Sequence, residues 1–538
     1  MRAAERTIRV AGSPLLALAL LGAACSGGGD GDPSSTTSRA SGEVVDGGTV
    51  RLGLASQMQP DPVLVDLSSP AEMLVIDLLH DGLTALGDDG RPVPALAAEW
   101  EPDEALKTWT FELDPDATFA SGRQVTAEDV VASLERMAKG GDSSLPALRL
   151  ETISGFRAFV DGTAEHLAGL TAPDASTVKV ALDSPLGVLP VILASPLYGV
   201  VDVGSLDEAS AGGARLADLD LSGGWAVESA EDDAIMLERR EGTPGHLDMV
   251  ELSAYEGAEA AYDAFDEGDV DWALVPVERY ADAVEEHGDD AFSPFHAELF
   301  FGMRVTAGPL ANIELRKAIA ASIDRQAIVE AVYPDLAAPL DAVVPDGVTG
   351  HDPNPCDECG HDPERAKSLV AAAFPDGNVP SVAIDFDESA AQEAMAAILA
   401  KGLQDAGIPS ELRPKPLEEY KRFVVSGAQQ LFSFGWIGVY DSPDAYLAPL
   451  FGSAADDNLT GFGLESVDAA LAAARASTDA PAAARHWGNV ERRVLADAVV
   501  VPIAQFRTQA VLGERVQGFA HAVDGSVDWS TVWVSDGA

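Results

Sequence analysis

Between residues 79 and 130 the chain reads Leu79-His-Asp-Gly-Leu83, Pro94-Ala-Leu-Ala-Ala-Glu-Trp100, Trp109-Thr-Phe-Glu-Leu113, Phe119-Ala-Ser-Gly122 and Thr126-Ala-Glu-Asp-Val130. Trp109, Phe111 and Leu113 alternate with polar residues, the period of a half-buried strand. Thr126 with Asp129 three residues on has the form of a helix N-cap, and Val130, Leu134 and Met137 then share one helical face. Trp100, Trp109 and Phe111 are read as core aromatics rather than a ligand platform. Strand, turn and capped helix in close succession predict a mixed α/β fold.

The same mixture extends outward. Val50, Leu52 and Leu54 alternate after Gly47-Gly48, and Thr177-Val-Lys-Val-Ala-Leu182 is a further strand. Leu315, Ile319 and Ile323 mark one face of a helix, with Ile328 and Val332 continuing the apolar stripe after Arg325. Asp324 and Arg325 are read as a turn or ion pair. Gln404-Asp-Ala-Gly407-Ile408 reads as a helix closed by a glycine and leading into a strand. No internal repeat or heptad period interrupts this. The 538 residues suffice for about three domains at ~150 residues each.

Thirty-four basic against 88 acidic residues give a formal net charge of −54. That balance excludes nucleic acid as a partner, because neutralising phosphates takes clustered Lys and Arg. It also disfavours adsorption to anionic lipid. At the N-terminus, Arg2, Arg6 and Arg9 precede an apolar run from Leu15 to Leu21, then Gly22-Ala-Ala24 and Cys25. A basic start, a short apolar stretch and small residues form a secretory signal, residues 1–24. The cysteine that ends it resembles the lipobox of bacterial lipoproteins, although the usual Leu three residues before the cysteine is Gly22 here. The expected product is an exported protein, acylated at Cys25 and held at the outer face of the cytoplasmic membrane only through that lipid. Residues 25–45 would form the lipidated start and a flexible tether.

Cys356 and Cys359, in Cys-Asp-Glu-Cys, are expected to form a local disulfide in an exported chain. Zinc is the alternative there, with His351 and His361 completing a four-ligand set; no metal and no cofactor is the reading adopted.

Five stretches in order resemble the extracytoplasmic solute-binding proteins of ABC importers, the oligopeptide/dipeptide/nickel family (family 5). They are Gly47-Gly-Thr-Val-Arg-Leu-Gly-Leu54, the 79–136 region quoted above through Leu134-Glu-Arg136, Gly268-Asp-Val-Asp271, Leu315-Arg-Lys-Ala-Ile319 with Ile323-Asp-Arg325 and Asp362-Pro-Glu-Arg-Ala366, and Gly435-Trp436 with Ser442-Pro-Asp444. The resemblance implies a two-lobed clamp of the periplasmic-binding type with a hinge. Lobe I would comprise 46–86, 212–302 and 511–538, the inserted small domain 87–211, and lobe II 303–510. It further implies a monomer that captures a peptide or other small solute between the lobes and delivers it to permease subunits.

In that family the stretch around the tryptophan borders the ligand. In several peptide-binding members the third residue after it is an aspartate that pairs with the peptide's α-ammonium. Here that position is Val439. The candidate pocket is therefore Trp436, Gly438, Tyr440 and Asp441, with Phe301 (beside Phe300) and Arg304 on a strand leading toward the hinge. Alternatives keep the fold and change the ligand to nickel chelate, haem or oligosaccharide, or use it in sensing. A secreted hydrolase is the rival class, but the chain carries no Gly-x-Ser-x-Gly elbow and no His-Glu-x-x-His helix.

Overall fold

The computed structural model describes residues 43–56, 61, 63, 70–87, 90–139, 150–205, 219–231, 234–356, 359–522 and 525–535. The signal segment, Cys25 and the tether up to residue 42 lie outside these. No helix among the described residues is long and apolar enough to cross a membrane.

Two six-stranded sheets organise the chain. The first is built from strands Thr49–Leu54, Trp225–Ala230, Ala234–Arg239, Met249–Ala254, Trp272–Leu274 and Ala510–Leu512. Thr49–Leu54 lies at its centre, parallel to both Met249–Ala254 and Trp272–Leu274. Val50 and Leu52 are fully buried, as their alternation requires. One carboxylate joins the distant pieces. Asp271 accepts from Arg51 Nη2 at 2.8 Å and from Arg515 Nη1 at 2.6 Å, while Arg515 Nη2 also holds the Thr49 carbonyl. The glycine-turn-acid element at 268–271 is thus the rivet of a lobe assembled from the start, middle and end of the chain.

Within residues 97–181 a separate four-stranded antiparallel sheet forms, in the order Ala97–Pro102, Thr108–Leu113, Thr177–Ala181, Leu170–Thr171. Trp109 and Phe111 are core residues, and Trp109 Nε1 donates to Leu186 O at 3.2 Å. The helix Ala127–Lys139 packs over this sheet and starts on the expected cap: Thr126 N donates to Asp129 Oδ2 at 2.9 Å.

The second sheet runs Ala337–Pro339, Val500–Arg507, Pro294–Met303, Leu431–Ile437, Val382–Asp387, Ser410–Lys415. The strand Pro294–Met303 pairs with Leu431–Ile437 and Val500–Arg507, so the chain leaves the first lobe before residue 294, earlier than the expected boundary at 302/303. The return crossing follows Arg507. The two crossings are fastened to each other, Thr508 N donating to Ser293 O at 2.8 Å and Ser293 N to Thr508 Oγ1 at 3.0 Å. The turn at Asp324 falls between two helices, Ile313–Ser322 and Arg325–Val332; Ile323 is extended and lies just past the first rather than in it, and the Asp324 side chain accepts from Ala327 N to cap the second. The helix Ala390–Asp405 does end as read, with Gly407 at φ +81°.

The Leu79–Leu83 segment is tightly packed: a Cβ on Gly82 would lie 2.5 Å from Leu193 O. Next to it, burial pushes the Asp81 carboxyl up to about 6, with Arg240 opposing. A folded-state pKa above the unfolded one means the native state binds the extra proton, so this group's contribution is fully present below about pH 4 and is lost as pH rises through about 6. Asp81→Asn is expected to flatten that segment of the stability profile and to raise the urea midpoint at pH 7. Unchanged pH dependence between 4 and 7 would contradict it.

Candidate functional site

Strand alternation sorts Pro294–Met303 into two faces. Phe295, Ala297, Leu299, Phe301 and Met303 enter the core beneath the second sheet. His296, Glu298 and Phe300 lie on the opposite face, where Glu298 pairs across with Trp436 on one side and Gln505 on the other, and Phe300 with Phe434. Phe300, Phe434 and Phe432 form an aromatic ladder with centroids 5.2 and 5.5 Å apart. Gly302 admits it, since a Cβ there would meet Phe432 at 2.6 Å. This face shares one buried cluster with Leu83 of the first lobe and with Leu96, Trp109 and Phe111 of the segment inserted after it. It therefore looks across to the other lobe.

The loop after Ile437 closes the hinge end of this face. Trp436 Nε1 donates to Ala445 O at 2.9 Å, and Gly438 N donates to His296 O at 3.2 Å. Position 438 must be glycine because a Cβ would stand 2.3 Å from Tyr446 Oη. Tyr440 Oη donates to Asp444 Oδ2 at 2.8 Å, and Asp444 also receives Arg475 Nε at 2.6 Å and Nη2 at 3.1 Å. The Asp441 carboxylate accepts from Thr349 N and Oγ1. Gly90, just before Arg91, abuts both: a Cβ there would lie 2.2 Å from Thr349 Oγ1 and 2.9 Å from Asp441 Oδ2. The loop thus sits at the junction of the lobes.

Residues 343–351 lie over the hinge end. Glu491 Oε1 accepts from Val343 N at 2.7 Å and Val344 N at 3.0 Å. Gln505 Nε2 donates to Asp346 O and Phe295 O, and its Oε1 accepts from Asp346 N. Burial raises the Glu491 carboxyl, and the Val344 and Val343 amides offset part of that rise. Burial, and after it the charge of Glu491, holds the Glu298 carboxyl well above the usual carboxylate range.

The structure brings Trp436, Gly438, Tyr440 and Asp441 together but separates the other two candidates from them. Phe301, 1% exposed, points into the opposite core, so Phe300 is the aromatic on Trp436's face. Arg304 lies at the far end of the strand, donating to Leu459 O at 3.2 Å with its guanidinium against Gly427 and Gly461. It clamps a loop. Cys356 and Cys359 are disulfide-bonded, with Cα atoms 5.5 Å apart. His351 Nδ1 lies 2.7 Å from Val344 O, and His361 faces Asp324. Among the described residues no three His, Cys, Asp or Glu are grouped to hold a metal. Glu298, Gln505, Glu491 and Thr349 were missed by sequence reasoning. The one available signal was Glu298, a carboxylate inside the apolar run 295–303.

Two sheets on one chain that crosses between them twice, with an aromatic and polar face at their junction, define a two-lobed solute-binding protein. Residues 91–458 match the family model "Bacterial extracellular solute-binding proteins, family 5 Middle". The chain belongs to that family. It is similar to the dipeptide-binding protein DppE of Bacillus subtilis (strain 168), 24% identical over 84% of this chain and 85% of the relative. It is similar to the periplasmic murein peptide-binding protein MppA of Escherichia coli (strain K12), 23% identical over 87% and 90%. The heme-binding protein A of Haemophilus influenzae is 24% identical over 80% and 82%. Among solved structures, the unliganded open form of MppA superposes with a TM-score of 0.80 at 22% identity, covering 91% of this chain and 98% of that one. HbpA2 of Haemophilus parasuis gives 0.76 at 21% identity, covering 91% and 100%.

Proposed function

We propose that the chain is the solute-capturing subunit of an ABC importer, that short peptides are its ligands, and that it acts by binding rather than catalysis. It would be exported, acylated at Cys25, and pass its cargo as a monomer to membrane permease subunits. The observation that carries the reading is the Trp436 face, placed where the second lobe meets the inserted domain and at the hinge end of its sheet. Closure would bury ligand against it, and contacts made only in the closed arrangement would shift the population that way. The names of DppE and MppA support peptide as the class.

A second reading has its own support. Val439, 2% exposed, stands where a carboxylate would hold an ammonium group, and a heme-binding relative matches at the same identity as DppE. Calorimetry with tripeptide pools separates the two. Peptide import predicts binding near the micromolar range, about −8 kcal/mol, with a smaller radius of gyration by X-ray scattering. Haem binding with no response to peptides would reverse the assignment.

A further inference from the structure

Glu298 is 1% exposed, and neither of its carboxyl oxygens has a hydrogen-bond partner among the described residues. The other acids around this face are matched: Glu491 by two backbone amides, Asp444 by Arg475 and Tyr440, Asp441 by Thr349. Its neighbours on the sheet, Trp436 and Phe300, need no carboxyl for packing. An ionised, unmatched carboxylate in such a place is strongly unfavourable. Its position is specific. It lies directly across from Trp436, five residues from the Ser293–Thr508 clasp, at the end of the sheet where the 438–443 loop meets Gly90.

We infer that Glu298 receives the cationic group of the bound solute, the α-ammonium of a peptide, and so takes the part that Val439 leaves open. The inference rests on the peptide reading. It gives the buried acid a partner and explains why a carboxylate interrupts an apolar strand. Burial, and after it the charge of Glu491, raises the Glu298 carboxyl in the free protein, and pairing with an ammonium favours the ionised form, so binding draws the group toward proton release. The titratable groups on the surrounding elements are His296 on its own strand, Glu491 on the helix Ala480–Ala496, Asp346 and His351 on the covering loop, and Asp441 and Asp444 on and after the 438–443 loop.

The test is calorimetry of the full-length protein with trialanine and N-acetyl-trialanine at pH 7, in two buffers of different ionisation enthalpy. Wild type is expected to prefer the free amine and to release a proton on binding it. Glu298→Gln should weaken trialanine binding about thirtyfold or more, the loss expected when one partner of a buried charge pair is removed. It should leave the acetylated peptide unaffected and abolish the proton release. Glu298→Asp, which keeps the acid, should retain the preference for the free amine, and Glu298→Gln should melt no earlier than wild type. Equal trialanine affinity in wild type and Glu298→Gln overturns the inference alone. Trialanine ignored by wild type overturns the peptide reading, and the inference with it.

Discussion

Arg475→Met is expected to cost the protein about 3–5 kcal/mol, the loss that follows when one member of a buried ion pair is removed. Asp444 is fully buried at the start of the helix Asp444–Phe451, and Arg475, at the end of Glu465–Arg475, meets it with two hydrogen bonds. Tyr440 supplies one more donor to the same carboxylate. Without the guanidinium that single hydroxyl would face an uncompensated charge. The loop 438–443 would loosen from its helix, and solute affinity would fall with stability. Joining the change to Asp444→Asn removes the stranded charge and is expected to restore much of the loss, since neutral pairs in such sites are often as stable as the ion pair. Urea unfolding of the two singles and the double closes the cycle. Additive effects would show that the pair is not coupled.

Trp436→Ala carries the second large effect. The indole is 6% exposed, lies across from Glu298, and donates to Ala445 O. Removing it opens a cavity in the face between strand and helix and leaves a carbonyl without its donor, about 3–5 kcal/mol by analogy with large-to-small aromatic changes. Because the same ring forms the wall beside Glu298, solute binding should fall further than destabilisation accounts for. Trp436→Phe separates the two parts. It keeps most of the packing and loses the hydrogen bond, so it should stay folded and bind more weakly. Wild-type affinity in both variants would remove this face from the site.

Local elements were legible because their signals are local. Val50, Leu52 and Leu54 alternate, Thr126 and Asp129 cap a helix, and Gly407 closes one, each within a few residues. Ile323 was misread because the apolar stripe continues through it, while the break depends on Asp324 turning its side chain back to Ala327 N. The rivet at Asp271 was not legible in its detail: its partners Arg51 and Arg515 stand 220 and 244 residues away, and no local pattern encodes that meeting. The site shows the same divide. The 436–441 loop could be named from its resemblance to the family, but a strand's period does not say which face looks outward. Phe300 shares Trp436's face while Phe301 turns to the other, and Arg304, on the same strand leading toward the hinge, spends its guanidinium on a loop carbonyl. The first crossing was placed nine residues late because Pro294–Met303 is apolar on both faces apart from His296 and Glu298, and either sheet could have held it.

Native mass spectrometry of the protein purified from cells, followed by denaturation and identification of what it carried, decides whether peptides are its cargo. A ladder of short peptides with free amino termini is the predicted result. A single non-peptide species such as haem, or protein that stays empty when offered peptide pools, would contradict it.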